Sequence, residues 1–527
     1  MINIKKLPLL VIAISSLFGC TKLDEKLNGQ LTEDEFTQLS GGGAGGTPDF
    51  TALLNGVYIT LYGPWSNQDN IFALQEHTTD EMIGPTRGGD WDDNGNWRVL
   101  HAHIWDANHS HNANAFRDLL RTSFQSTDIL RFTPTPQVAA EARFLRAFTN
   151  YFVLDNWDQV PYRENTTDPN EIPKVRKGLE ALDYIIAETE AALPGLPDNA
   201  AGVPNFKATK NAARVLLMKC YLNKGVYANR ETPSFDAADM NKVITLADEI
   251  IAQNRYTLAT NYFDNFSPTN DLSTENIFTL GNRDPAAANA GLNGNGVMFN
   301  YHQSLHYNSP VANGGGWNGF TTLSDFYDKF DATDKRREAS YPGVTDVQGI
   351  KVGFLIGQQF GPGGVVLKDR KGNNLDFKRD VHLLETDPIA IETNGIRVVK
   401  YVPDYGPQFP TSQDWVFYRY ADVLLMKAEA ILRGGTATGG QSTSDLVNLV
   451  RDRAGLGGLG AVTLDNLLDE RGREFYWEGH RRNDLIRFGK FLEPWQDKTQ
   501  SAPARLIFPI PNRSLANNPN LTQNPGY

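Results

Sequence analysis

Paired amphipathic segments with sharp stop signals constrain this chain more than any other feature. The spacing of apolar residues predicts helices over 50–61, 139–157, 178–193, 208–224, 239–253, 420–432, 444–454 and 464–489. In the second of these, Ala142, Leu145, Phe148 and Phe152 recur three or four residues apart, which puts them on one helical face. Pro161 closes that region, Pro194 follows 178–193, and Gly225 follows 208–224. Six of the segments pair off along the chain: 139–157 with 178–193, 208–224 with 239–253, and 420–432 with 444–454. A helix with one apolar face must bury it against another element, so such pairs imply a layered scaffold with a core between the layers.

The pairs look like tetratricopeptide-type units, without a fixed repeat length and with large insertions. Two long stretches, 63–112 and 267–401, do not read as helix and are rich in Gly, Asn, Asp, Pro and aromatic residues. Long ordered connections of this kind are usually functional, so a binding surface is expected there.

The first twenty residues have the order of an export signal. Lys5 and Lys6 precede an apolar run from Leu7 to Phe18, and Gly19-Cys20 ends it. The run is too short for a stable membrane span. A cut before Cys20 fits a bacterial lipoprotein signal, whose cysteine thiol takes a diacylglycerol and whose freed amine is acylated. The expected organisation is a leader over 1–19, then an acylated Cys20 and a flexible linker over 20–48 that includes the glycine tract at 41–46. From Asp49 the chain reads as globular, and its length alone gives a prior of about two to four domains unless one large helical fold takes all of it.

Only Cys20 and Cys220 are present, so a lipidated Cys20 leaves no disulfide and no cysteine-based metal site. Cys220 lies in the apolar run 212–222 and reads as a buried, inert thiol. The formal net charge is −12, and the two leader lysines are part of it, so the mature chain is more acidic still. With no Lys/Arg stripe to offset that charge, nucleic acid is excluded as a partner, and a neutral ligand is favoured over a polyanion.

Four of the nine tryptophans, Trp65, Trp91, Trp97 and Trp105, lie in the first long stretch. Indole faces stack on the C–H faces of sugar rings, while Asp, Asn and Arg match hydroxyl groups; the bland alternative is that the indoles pin the loop to the core. The carbohydrate reading names Trp91 and Trp97 as stacking platforms with Asp90, Asp92 and Arg87 as polar partners, then Trp65, Asn67 and Asp69. Trp317, in Gly314-Gly315-Gly316-Trp317-Asn318, is a second candidate lip, where glycines would let a ligand approach the backbone.

Asp90, Asp92 and Asn94 also match the first half of a calcium loop, but His101 stands where the closing glutamate belongs. His101, His103, His109 and His111 make a zinc site conceivable, yet no H-E-x-x-H is present and structural histidines are the expectation. No nucleophile elbow or phosphate loop occurs, so neither an enzyme nor a cofactor is expected. The charge-rich run 470–485 reads as a helix laced by ion pairs around Phe475 and Trp477.

Taken in order, several segments resemble the SusD/RagB family of outer-membrane lipoproteins. They are Arg146-Ala147-Phe148 to Tyr151; Asp158-Gln159-Val160-Pro161-Tyr162; Ala212 to Tyr221; and Asp334-Lys335-Arg336-Arg337. Further on come Tyr418-Arg419-Tyr420-Ala421-Asp422-Val423-Leu424-Leu425 with Glu429-Ala430, then Arg473-Glu474 with Glu478-Gly479-His480-Arg481 and Asp484-Leu485. Pro509-Ile510-Pro511, then Asn518-Pro519-Asn520-Leu521 and the final Gln523-Asn524-Pro525-Gly526-Tyr527, complete the series. The resemblance implies one ligand-binding domain over 49–527 with a mainly α, SusD-like fold: four tetratricopeptide-like helix pairs supporting an irregular, loop-rich half. It also implies a non-enzymatic, cell-surface binder that delivers oligosaccharides to a SusC-like TonB-dependent transporter. Such a protein is lipid-anchored in the outer membrane and faces the exterior, with Asp24 and Glu25 resembling a surface-export signal. A peptide-binding branch of the same family is the alternative, and a lipid-anchored glycosidase the less favoured one.

Overall fold

Helix α1 (Phe50–Thr60) begins where the Asp49 carboxylate accepts the amides of Thr51 and Ala52. The longer helices follow: α2 (Ser110–Leu130), α3 (Pro136–Trp157), α4 (Gly178–Ala192), α5 (Lys210–Ala228) and α6 (Ala237–Ile251). After a long irregular segment come α7 (Tyr420–Leu432), α8 (Thr443–Arg453) and α9 (Leu464–Phe475). From α2 onward each helix packs on the next, and α9 also packs on α7, so these helices form one continuous stack. Local chemistry sets their ends. Thr135 caps α3 with Pro136 in its first turn, and reciprocal capping boxes start α8 (Ser442 with Asp445) and α9 (Thr463 with Asn466).

The computed structural model describes residues 48–66, 68–165, 168, 170–199, 203–282, 300–311, 315–403 and 413–527. The predicted leader, Cys20, most of the linker, Asn67 and Gly314 lie outside them. Residues from Asp49 to Tyr527 form one compact, mainly α unit. No helix among the described residues is long and apolar enough to cross a membrane.

The pairs read from the sequence do pack together, but the helix at Ser110–Leu130 was not expected. Its face toward the core includes Asn112, Thr122, Ser123, Ser126 and Thr127, so polarity hides the helical period. Tertiary hydrogen bonds compensate: Asn112 donates to Pro509 O at 2.9 Å, and the Trp157 indole donates to Asn112 Oδ1 at 2.8 Å. The stretch 63–112 is not helix-free either; it holds Tyr62–Ser66, Ile71–Glu76 and Asn96–His101.

The irregular half enters between α6 and α7. Strand β1 (Thr86–Arg87) runs parallel to β4 (Leu384–Glu385), and β3 (Val352–Leu355) is antiparallel to β5 (Arg397–Val399). A bulged antiparallel ribbon of β2 (Asn276–Leu280) and β6 (Trp415–Arg419) lies against the helices. There Phe278 and Phe417 meet Phe148 of α3 at ring distances of 5.3 and 5.0 Å, and Trp65 joins the cluster.

The charge-rich run 470–485 is not one helix. It breaks after Phe475, where Tyr476 is non-helical and Trp477 and Gly479 take positive φ, and resumes as the short helix Arg481–Arg487. Its ions pair across the fold more than along a helix. Glu474 accepts from Arg336 at 2.9 Å and Arg419 at 2.5 Å and also pairs with Arg453; Arg419 bonds Glu275 and Glu478 as well. Arg487 is shared by Glu429 and Asp484, and Arg471 by Asp484 and Asp422. All of these groups are buried except Arg453, which is part-buried at the edge of the network. Removing one partner would strand the other charge without solvent, so the network fixes how the irregular half seats on the helices.

Candidate functional site

The loop after β1 is built from backbone that side chains usually avoid. Arg87 and Asp90 exchange main-chain hydrogen bonds at 2.8 and 3.0 Å around Gly88-Gly89, with Gly88 at φ +66°. Trp91, Asp93 and Asn94 then take positive φ, at +60°, +41° and +55°. A bulky residue such as Trp91 adopts that region only where its surroundings hold it, and such strain gathers at functional sites.

What holds Trp91 is the second lip. Its Nε1 donates to Trp317 O at 2.9 Å, and its ring packs on Phe320 at 4.8 Å. Gly319 lies directly beneath, and a Cβ there would strike the indole. The segment 315–319 reaches this position by close backbone contact: Gly316 presses against Leu305 O and donates to His306 O, while Trp317 N donates to His302 O. Trp91 and Trp317 are both half-buried. The two sequence-predicted lips therefore form one aromatic rim.

Polar groups frame it. The Tyr307 hydroxyl donates to Asp90 Oδ2 at 2.8 Å, and Arg370 lies over the Tyr307 ring at 4.0 Å, with Nη2 3.8 Å from the same Asp90 oxygen. Buried Glu392 accepts from Arg370 Nε at 2.7 Å on Oε1 and from Arg370 N at 3.0 Å on Oε2, and His306 Nε2 lies 2.8 Å from that same Oε2. Burial and the Asp90 carboxylate push the Tyr307 hydroxyl up to about 12, so it remains a donor.

Other predicted residues are placed elsewhere. Trp97 is buried at 2% exposure, its indole N–H held by Asp93 at 2.6 Å and its ring among His77, His111 and Phe320. It supports the rim from below and offers no stacking face. Trp65 is 4% exposed inside the Phe148–Phe152–Phe417 cluster. Arg87 is buried, donating to Gly319 O and Ile391 O, so it ties the lips together and does not face a ligand. Asp92 is exposed but bonded by Arg98 at 2.6 Å, and Asp69 contacts Asn114 of α2 through its main chain.

The calcium pattern does not assemble. Asp90 serves Tyr307, Asp92 serves Arg98, Asp93 serves Trp97, and Asn94 sits in a tight turn, so the oxygens are spread over separate protein donors. No group of three or more His, Cys, Asp or Glu side chains among the described residues is placed to hold a metal. The four histidines are buried and structural. His101 bonds Gln496 O, His103 bonds Thr78 O, His109 bonds Asn96 O, and the His111 ring packs on Trp97 at 4.4 Å. Burial lowers all four, so they are neutral near pH 7.

Sequence reasoning missed Tyr307, Arg370 and Glu392. Tyr307 stands only ten positions before the predicted lip at Trp317, which was the one available signal. Arg370 and Glu392 reach the rim only through the fold of a segment with little regular structure.

With the site in view, relatives sharpen the reading. The SusD family profile matches residues 248–527, over half of the chain. The chain belongs to the SusD family. The starch-binding protein SusD of Bacteroides thetaiotaomicron is 29% identical over 425 residues, which cover 74% of this chain and 72% of that one. Solved structures share the fold. A SusD superfamily protein from Parabacteroides distasonis superposes with a TM-score of 0.70 at 20% identity, covering 91% of this chain and 99% of that one. Surface glycan-binding protein A from Bacteroides thetaiotaomicron, solved in complex with laminarihexaose, gives 0.67 at 19% identity, covering 90% and 99%. As the motif series implied, the architecture is mainly α and SusD-like.

Proposed function

We propose that this SusD-family chain captures a neutral glycan at the cell surface and passes it, uncleaved, to a SusC-like TonB-dependent transporter. The observation that carries the reading is the joined rim: two half-buried tryptophans, Trp91 and Trp317, brought together by the bond from the Trp91 indole N–H to the Trp317 main-chain oxygen and edged by Asp90, Tyr307 and Arg370. Flat aromatic faces stack on sugar rings, and oriented polar groups at their edge select hydroxyls. The names of the relatives support the ligand class, and the acidic composition favours an uncharged polymer. In this reading residues 1–19 are cleaved and Cys20 carries acyl chains, which hold the protein on the outer membrane facing outward, with 20–48 as its tether.

Incubating the protein with a panel of neutral polysaccharides and with peptides tests the proposal. Retention of a glycan without release of reducing ends is expected. Release of reducing ends would mean an enzyme, and retention of peptides alone would overturn the glycan reading. For the tether, a Cys20→Ala form is expected to be lost from the cell surface; its normal retention there would remove the anchor from the mechanism.

A further inference from the structure

The edge of the aromatic rim carries two opposite charges that face outward together. Asp90 and Arg370 are about equally open, at 54% and 50% side-chain exposure, with Arg370 Nη2 3.8 Å from Asp90 Oδ2. Neither is free to swing. Asp90 is held by the Tyr307 hydroxyl and by the hairpin it closes with Arg87. Arg370 is held twice by buried Glu392, which His306 steadies from behind, and its guanidinium lies flat on Tyr307. These anchors use Asp90 Oδ2 and Arg370 Nε, and among the described residues no hydrogen bond engages Asp90 Oδ1 or Arg370 Nη1. The result is a fixed acceptor beside a fixed donor, in the loop that carries Trp91.

Resting on the glycan reading above, we propose that Asp90 and Arg370 read a vicinal diol, so that the preferred ligand is a neutral glycan whose linkages leave adjacent hydroxyls free. A sugar hydroxyl both donates and accepts. One hydroxyl of a diol donates to the Asp90 carboxylate while its neighbour accepts from the Arg370 guanidinium, and the ring between them lies on Trp91. Both protein groups are charged, which strengthens each bond, and their anchoring lowers the entropy lost on binding. The two charges offset each other, so an added carboxylate on the ligand would meet Asp90 as well as Arg370 and gain little. Linkage then becomes the discriminator. Hexoses joined 1,4 or 1,6 keep the hydroxyls at carbons 2 and 3 as a free pair, whereas 1,3 linkage uses one of them and leaves no adjacent pair along the chain.

The test compares binding of wild type, Asp90→Asn, Arg370→Gln and Trp91→Ala to soluble starch, dextran, 1,4-linked mannan, laminarin and polygalacturonate by calorimetry or affinity electrophoresis. Wild type is expected to bind at least one 1,4- or 1,6-linked neutral polymer about tenfold more tightly than laminarin. Asp90→Asn and Arg370→Gln are each expected to remove about that preference, the worth of one charged hydrogen bond, while keeping residual stacking affinity. Equal or tighter binding of laminarin, or a preference for polygalacturonate, would overturn the proposal. So would unchanged selectivity in both edge variants. If Trp91→Ala abolishes binding while the edge variants change nothing, the diol reading alone falls. If wild type retains no polymer at all, the glycan reading falls with it.

Discussion

The indole N–H of Trp91 donates to the main-chain oxygen of Trp317 at 2.9 Å, across 226 positions of sequence. That bond joins two loops which the sequence marks only as separate aromatic, glycine-rich stretches. It also explains a strained tryptophan: Trp91 keeps φ at +60° because its ring is held between Gly319, Phe320 and the opposite lip.

Gly319→Ala tests that clamp directly. A Cβ at 319 would meet the Trp91 ring and Gln303 O, and no positive φ complicates the substitution. The indole must move or the lip must part, so glycan affinity is expected to fall by about tenfold or more, with a modest loss in melting temperature. Unchanged affinity would show that the position of Trp91 does not matter to binding.

Trp91→Ala and Trp97→Ala should separate binding from folding. Trp97 is buried and hydrogen-bonded to Asp93, so truncation is expected to cost about 3–5 kcal/mol of stability, read from denaturant unfolding. Trp91 is half-buried at the rim, and its loss should remove affinity while costing less stability. Equal losses of stability in the two variants would contradict this division.

Glu474→Gln should be among the most damaging single changes. Glu474 faces buried Arg336 and Arg419 and part-buried Arg453, and neutralising it leaves those guanidiniums short of a counter-charge. A loss of about 3–5 kcal/mol in unfolding free energy is expected. A change under about 1 kcal/mol would mean that the remaining carboxylates carry the network without it.

Acid should unfold the protein through the same network. Burial alone would raise Glu429 and Glu470, but the facing guanidiniums of Arg487 and Arg336 overcome it and hold both at about 2. A folded value below the ordinary 4.5 means that the stabilisation is present above about pH 4.5 and is lost as pH falls toward 2. Unfolding midpoints followed by circular dichroism should fall steeply across that window, and less steeply in Glu429→Gln. A flat profile down to pH 2.5 would count against the network as the source of acid sensitivity.

The sequence by itself determined the helical scaffold, because apolar spacing, caps and breakers act within one or two turns. Phe148 and Phe152 of α3 recur at helical period, although the spacing places the start at 139 and the Thr135 cap with Pro136 begins the helix three residues earlier. It also marked Trp91 and Trp317 as candidates, because aromatic residues amid glycine and aspartate are conspicuous in a loop. Only the tertiary structure decided which indoles face solvent. Trp91 and Trp97 stand six positions apart in the same kind of sequence, yet packing beneath Phe320 buries one and leaves the other at the rim. The polar helix α2 and the break after Phe475 were hidden for the same reason: their hydrogen bonds and ion pairs come from residues far away in sequence. Asp90, Tyr307, Arg370 and Glu392 share no local pattern. They became one site because the irregular half folds back over the hairpin at Asp90, a long-range event that periodicity does not record.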